Sequence, residues 1–298
     1  MSKQFFYLPW WFFRSRILGQ KRPLQTVLFI SDKCNLTCKH CSVYNLANPR
    51  SKTTEQITKE LQFSYNQGSR FVDFEGGEPF LWQDGDRRIN DLIRIAKQIG
   101  YFSTTVTTNA QLSFAGCEAD SIWVSLDGLG DYHDYIRGKG AFSRLEKNVA
   151  ECGHPDVSFN MVINSHNFSN VHDTIEYARN NPAIRSISLN FHTPYEGTEY
   201  LFLDWNQRAK VIDEIIGMKR AGYPIINSVS GLKLMKHNRF SKQCWVSNFI
   251  LADGVRLHEC PGSISGVCDR CGFGMAGEMH SVFALKPDTI WAGMKLRM

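Results

Sequence analysis

Three cysteines fall within eight residues, Cys34-Asn35-Leu36-Thr37-Cys38-Lys39-His40-Cys41, separated by three residues and then by two. That spacing lets one loop aim three thiolates at a single point. Four thiolates complete a [4Fe–4S] cluster, so three leave one iron open to an outside ligand. The same spacing admits a zinc knuckle, a disulfide with a spare thiol, or unrelated core cysteines. Zinc sites usually pair CxxC with a second distant pair, and disulfides need an oxidising compartment. A second set, Cys244, Cys260, Cys268 and Cys271, lies further on and ends in CxxC. Cys117 and Cys152 stand alone and read as small buried hydrophobes.

Residues this far apart in sequence need a scaffold that gathers them at one end. Strand-like segments at 25–31, 70–75, 102–107, 121–126, 156–163 and 184–191 alternate with helix-like segments at 53–67, 86–99, 143–152, 169–180 and 204–221. Within 86–99, Ile89, Leu92, Ile93, Ala96 and Ile99 recur at helical spacing and leave Arg87, Arg88, Asp91, Arg94 and Lys97 for solvent. Thr53 and Thr54, with Gln56 and Glu60 nearby, give an N-terminal signal to the first of these helices. The alternation predicts an α/β chain of parallel strands with right-handed crossovers, an open (β/α)6 relative of the TIM barrel. The expected organisation is an aromatic and basic arm over 1–23, the partial barrel over 24–221 and a small cysteine-rich unit with a tail over 222–298.

Barrels of this kind carry their chemistry at the C-terminal ends of the strands. The cysteine motif follows strand one, and Glu75-Gly76-Gly77-Glu78-Pro79 ends strand two. Thr107-Thr108-Asn109 and Ser125-Leu126-Asp127-Gly128 end the next two. Asn160, Val162 and Asn164 alternate along strand five, and Asn190-Phe191-His192-Thr193-Pro194-Tyr195-Glu196 closes strand six, where substrate contacts are expected. Taken singly, Gly76-Gly77 and Asp127-Gly128 are ordinary turns, and His192 is either a proton donor or a satisfied rim histidine.

A chain of 298 residues forms one large domain, or one domain with a small appendage. The formal charge of +5 is scattered and argues for no nucleic-acid partner. There is no run of 18 apolar residues and no secretory signal pattern, so the expectation is a cytoplasmic, reducing setting in which clustered cysteines hold metal. Residues 4–22 gather Phe5, Phe6, Tyr7, Trp10, Trp11, Phe12 and Phe13 before Arg14, Arg16, Lys21 and Arg22. Aromatics flanked by cations suit an interfacial anchor on the inner face of a membrane. The other reading is an arm packed across the barrel or onto a second subunit. Pro9 is expected to interrupt any single long helix here.

CxxxCxxC directly after Thr26-Val27-Leu28-Phe29-Ile30-Ser31, the GGEP of residues 76–79 and the HDxxRG-like His133-Asp134-Tyr135-Ile136-Arg137-Gly138 together resemble the radical S-adenosylmethionine (SAM) enzymes over roughly residues 24–220. The resemblance implies that Cys34, Cys38 and Cys41 hold a [4Fe–4S] cluster whose open iron chelates SAM. One electron then splits SAM into methionine and a 5′-deoxyadenosyl radical, which abstracts a substrate hydrogen. It further implies SAM contacts at His40 near the adenine, at Gly76, Gly77, Glu78 and Pro79 near the amino group, and at Arg137 for the carboxylate. Thr108, Asn109, Ser125, Asp127 and Asn160 are implied to face SAM or substrate in the barrel.

Cys-x9-Gly-x5-Cys followed by CxxC resembles the shortened auxiliary-cluster (Twitch) domain of some radical SAM enzymes, one residue longer after the glycine than is usual there. That implies a second [4Fe–4S] cluster on Cys244, Cys260, Cys268 and Cys271, with a hairpin over 249–257 turning at Asp253-Gly254. A four-cysteine zinc site is the competing reading. The fuller SPASM domain needs three more cysteines, and none follows Cys271.

Implied partners are a reductant such as flavodoxin or ferredoxin and a substrate drawn from membrane amphiphiles, ribosomal peptides or small alcohols. The reaction class is left between oxidoreductase and C–C or C–S bond-forming transferase, with Cys117 and Tyr195 as candidates for returning a hydrogen. A reading of another class, a non-catalytic iron–sulfur or zinc binding protein, has no use for the GGEP and Arg137 motifs.

Overall fold

The computed structural model describes residues 2–41 and 48–297. Helix α1 (Ser2–Arg16) leads into β1 (Gln25–Ser31), α2 (Thr54–Gln67), β2 (Phe71–Gly76), α3 (Ile89–Ile99), β3 (Ser103–Thr108) and β4 (Ser121–Ser125). Then come α4 (Asp131–Arg137), α5 (Ala141–Glu151), β5 (Val157–Ile163), α6 (Val171–Asn180), β6 (Ser186–Phe191), α7 (Trp205–Arg220) and α8 (Val229–Met235). Strands β7 (Ser247–Ile250) and β8 (Arg256–Leu257) and helices α9 (Pro261–Ile264), α10 (Gly274–Phe283) and α11 (Pro287–Arg297) complete the chain.

Strands β1 to β6 lie side by side in chain order, every neighbouring pair parallel, and the sheet does not close. The apolar face of each strand meets the helices: Leu28, Ile30, Val72, Phe74 and Val106 share one core with Ile57, Leu61, Leu92 and Ile93. Each such residue contributes about 1.5–3 kcal/mol on burial. The apolar stripe of α3 is the one its spacing predicts, with Ile89, Leu92, Ile93 and Ala96 buried. Helix α2 starts where its sequence signal lies, with Thr53 and Gln56 forming a reciprocal capping box.

The hairpin turns at the predicted residues: Gly254 has φ +90°, the Leu251 amide donates to Val255 O at 2.9 Å, and Phe249 pairs with Leu257. Its placement was not foreseen. Strand β7 runs parallel to β1 from Gln25↔Ser247 to Leu28↔Ile250, on the side of β1 away from β2. The Thr26 hydroxyl donates to Asn248 Oδ1 at 2.7 Å across this join. Residues beyond 221 thus extend the barrel's own sheet.

Helix α1 corrects the expectation for Pro9, because it runs through that residue. The side chains one turn apart on either side are pinned: the Tyr7 hydroxyl donates to Gly68 O, and Trp11 Nε1 donates to Arg22 O at 2.8 Å. Trp11 is buried against Trp245 and Phe283. Tertiary contact on both flanks offsets the missing amide. Helices α10 and α11 pack on α8: a Cβ on Gly277 would lie 2.7 Å from Gly231 O, and Ser230 donates twice to Asp288.

Candidate active site

The loops after β1 and β2 are locked together by main-chain contacts. The Gly77 amide donates to Ser31 O (2.8 Å) and the Glu78 amide to Lys33 O (2.9 Å). A Cβ on Gly76 would lie 2.1 Å from Ser31 O, and one on Gly77 would lie 2.2 Å from Lys33 O. Consecutive glycines therefore stand where the second loop touches the start of the cysteine motif.

Glu78 extends the weld to β3. Its fully buried carboxylate accepts the Thr108 hydroxyl and the Asn109 amide, both at 2.8 Å, and the Phe80 amide at 3.1 Å. Burial pushes its carboxyl up, and these donors oppose the shift. Pro79 opens the short turn that follows. Asn109 returns to the cysteine loop, with Nδ2 2.8 Å from Asn35 Oδ1 and 3.7 Å from Cys34 Sγ.

A second group stands around Cys38. Arg137, carried by α4, donates from Nε to Asp127 Oδ2 at 2.7 Å, and its Nη1 lies 3.9 Å from Cys38 Sγ. Asp127 Oδ1 accepts the Val162 amide, and His40 Nε2 lies 3.5 Å from Oδ2. Burial works against the charge on Asp127, yet the Arg137 guanidinium keeps its carboxyl below the usual range. Burial takes His40 down to about 4 and His133 down to about 3, so both imidazoles are neutral near pH 7. His40 Nδ1 and His133 Nε2 are buried without a hydrogen-bond partner. The thiols of Cys34 and Cys38 are raised by burial, with Arg137 opposing.

The remaining expected residues line the barrel interior. Ser125 and Asn160 are register partners, and Asn160 Oδ1 accepts Asn190 Nδ2 at 2.7 Å. Asn164 turns away to organise its own loop, accepting the His166 and Asn167 amides. His192 is buried with Nε2 3.0 Å from Thr198 O, which makes it a satisfied rim histidine. Cys117 sits just before β4, at the end of the strands opposite the motif, so it is no hydrogen donor for this site. Asp73 and Glu75 were missed as a pair. They alternate on the inner face of β2, with Thr107 Oγ1 donating to Asp73 at 3.1 Å. Burial pushes Glu75 up to about 7, against the hydrogen bond it shares with Asp73. Two acids at alternate positions of a strand were the available signal.

Cys244, Cys260, Cys268 and Cys271 line one small enclosure of about 10 Å³ with Thr193, Tyr195 and Phe273. The enclosure is fastened to the end of β6. The Phe191 amide donates to Gly272 O (2.8 Å), the Gly272 amide to Thr193 Oγ1 (2.9 Å) and the Gly274 amide to Asn190 Oδ1 (2.8 Å). Burial first, then repulsion from Cys260, Cys271 and Cys268, pushes the Cys244 thiol up to about 12. Among the described residues, no three Cys, His, Asp or Glu side chains are closed around a point as a single metal ion requires.

The family model for the radical SAM superfamily matches residues 28–181. Mycofactocin maturase MftC of Mycobacterium ulcerans is 27% identical over 164 residues, covering 52% of this chain and 44% of that protein. A probable GTP 3′,8-cyclase of Saccharolobus islandicus is 29% identical over 173 residues, covering 53% and 54%. The chain thus spans about half the length of these curated relatives. Among solved structures, Streptococcus suis SuiB bound to S-adenosylmethionine superposes with a TM-score of 0.66 at 18% identity, over 84% of this chain and 64% of that one. The anSMEcpe structure with bound AdoMet and Kp18Cys peptide gives 0.63 at 16%, over 92% and 83%. The fold is shared with both, and the family match extends over more than half of the sequence: this chain belongs to the radical SAM superfamily.

Proposed function

We propose that the chain cleaves SAM reductively and takes a hydrogen from a polar, peptide-like substrate. The observation that carries the reading is the docking of Gly76 and Gly77 onto Ser31 and Lys33, which brings the glycine loop into direct contact with the start of the cysteine loop. A [4Fe–4S] cluster with SAM on its open iron supplies, on one-electron reduction, the 5′-deoxyadenosyl radical that abstracts the hydrogen.

The residues present suit that group. Cys34, Cys38 and Cys41 would hold the cluster, and Gly76 and Gly77 would offer a main-chain edge to the SAM amino group. Arg137 commits Nε to Asp127, leaving its Nη edge for a carboxylate. The unpartnered His40 Nδ1 suits a purine edge. Glu78, Thr108, Asn109 and Pro79 hold the loops in register, while Ser125 and Asn160 present a hydroxyl and an amide to the interior. At the second set, burial and charge repulsion would oppose four thiolates, a cost that bound metal would offset, and a second [4Fe–4S] cluster is the reading preferred over zinc. A flavodoxin or ferredoxin is the matching class of reductant.

The inner wall favours a polar substrate over an acyl chain. Asp73, Glu75, Thr105, Thr107, Asn160 and Asn190 face the interior. These side chains pair with one another, Thr107 with Asp73 and Asn190 with Asn160, a network that a polar substrate can join by exchanging hydrogen bonds and a hydrocarbon cannot. The peptide in the anSMEcpe structure supports the same class.

Iron and sulfide after anaerobic reconstitution, with 5′-deoxyadenosine assayed after dithionite, test the proposal. About eight irons per chain should fall to about four in Cys34→Ala/Cys38→Ala/Cys41→Ala, with cleavage abolished. Four irons with one zinc would make the second set a zinc site. Cleavage retained in the variant would overturn the assignment.

The outer face of α1 supports a second, compatible reading: peripheral contact with an anionic membrane. Phe6 (80% exposed), Trp10 (52%), Phe13 (44%) and Ile17 (64%) share one helical face, with Arg16, Lys21 and Arg22 exposed nearby. No described helix is long and apolar enough to cross a membrane. Phe6→Ala/Trp10→Ala/Phe13→Ala should abolish co-sedimentation with phosphatidylserine vesicles while leaving the melting temperature unchanged. Equal binding by variant and wild type would remove the anchor.

A further inference from the structure

Arg208, in the first turn of α7, has no solvent exposure and is among the largest fully buried side chains. Its Nη2 donates to the carbonyl of Cys271 at 3.0 Å and lies 4.0 Å from Met235 Sδ. Its Nε and Nη1 have no hydrogen-bond partner. Aromatic faces enclose the guanidinium, with Cζ 4.4 Å from the Phe191 ring centroid and 5.0 Å from that of Trp205. Among the described residues the other buried guanidinium, Arg137, has the Asp127 carboxylate against it. Among the described residues no ion pair is formed by Arg208, and the thiol of Cys271, whose carbonyl it meets, raises its pKa against burial.

Arginine does not shed its proton in a protein. An ion buried without a counter-ion costs far more than a neutral side chain of the same size, so a fold keeps one where an anion meets it. Aromatic faces supply part of the compensation, but they carry no net charge. Cys271, whose carbonyl Arg208 holds, belongs to a set of four cysteines around one enclosure that can form thiolates.

We propose that Arg208 is the built-in counter-charge of the second cysteine site, raising the reduction potential of an iron–sulfur cluster held by Cys244, Cys260, Cys268 and Cys271. The inference rests on the reading of that site as a cluster site. Reduction adds one electron, and so one negative charge, to a group that is already anionic. A fixed positive charge in a water-poor surrounding stabilises the reduced form more than the oxidised form. The contact is to a ligand's carbonyl, so Arg208 acts on the site without touching substrate.

The test is an EPR-monitored dithionite titration of the reconstituted chain in the Cys34→Ala/Cys38→Ala/Cys41→Ala background, where all remaining iron belongs to the second set. Arg208→Gln keeps a donor for the Cys271 carbonyl and removes the charge. It should shift the reduction equilibrium at least tenfold toward the oxidised form, 59 mV more negative for one electron. Arg208→Lys keeps the charge and should stay within threefold of the parent. A purely structural role would move Gln and Lys alike, and that result, or an unshifted Gln variant, overturns the inference. If Gln fails to load iron, Arg208→Met fills the same volume without charge and should show the same shift. Absence of iron in the parent background would instead overturn the cluster reading itself.

Discussion

Asp127 accepts Arg137 on one carboxylate oxygen and the Val162 amide on the other, so a buried charge ties α4 to β5 beside Cys38. Glu78 does the equivalent work between the glycine loop and β3. Both were legible in the sequence as motif residues, but their partners were not. Nothing in spacing says that Arg137 meets Asp127, ten positions earlier, before it meets any ligand. Arg208 gave still less, since an arginine within a helix reads as a solvent-facing charge. Glu75 allows a test of buried charge by pH. Burial raises its carboxyl from 4.5 to about 7, so the folded chain holds a proton that the unfolded chain releases. That contribution to stability is complete below pH 4.5 and is lost as pH rises through 7. Glu75→Gln fixes the protonated shape. The melting temperature of the variant should therefore gain on wild type between pH 5.5 and pH 8, by an amount on the order of 1–2 kcal/mol in stability. A gap that stays constant over this range would mean that the carboxyl does not titrate there.

At the scale of elements, six strands and five helices lie within three residues of where periodicity placed them, because their apolar faces are regular, and α2 is marked at its ends by Thr53 and Gly68. Helix α4 went unread. Seven residues are too few to show a helical period, and its polar motif carries chemistry on the same positions that would reveal it. Helix α1 was misjudged for a different reason. Pro9 weakens a helix locally, whereas Tyr7 and Trp11 hold it through contacts with residues far along the chain. The junction of the β1 and β2 loops is the element-level feature most exposed to mutation. Gly77→Ala would drive a methyl group into Lys33 O and to 2.8 Å from the Cys34 amide. The chain should lose about 1–3 kcal/mol of stability to overpacking, and iron occupancy at the first cysteine set should fall with it. Thermal melting and iron content of this variant check the claim together. A stable variant that has lost only its iron would show that the glycine serves the ligand loop rather than the fold.

Over the whole molecule, the sheet that began as six strands in chain order is widened by β7, which settles against β1. No local pattern could disclose this, since Thr26 and Asn248 are 222 residues apart. A chain stopped at residue 221 would lack this neighbour and the Trp245 and Phe283 cover over α1. It should sediment as soluble aggregate rather than monomer, because β1 would present a bare row of amides and carbonyls. A monomeric 1–221 fragment with a cooperative melt would show that the first six strands suffice. The same geometry bears on biosynthesis. At about 5–20 residues per second, roughly 10–40 s separate emergence of β1 from that of its last strand partner. During that interval the nascent polypeptide carries an unsealed flank, the feature on which stray strands and holding chaperones act. The first strand to be made is the last to be enclosed.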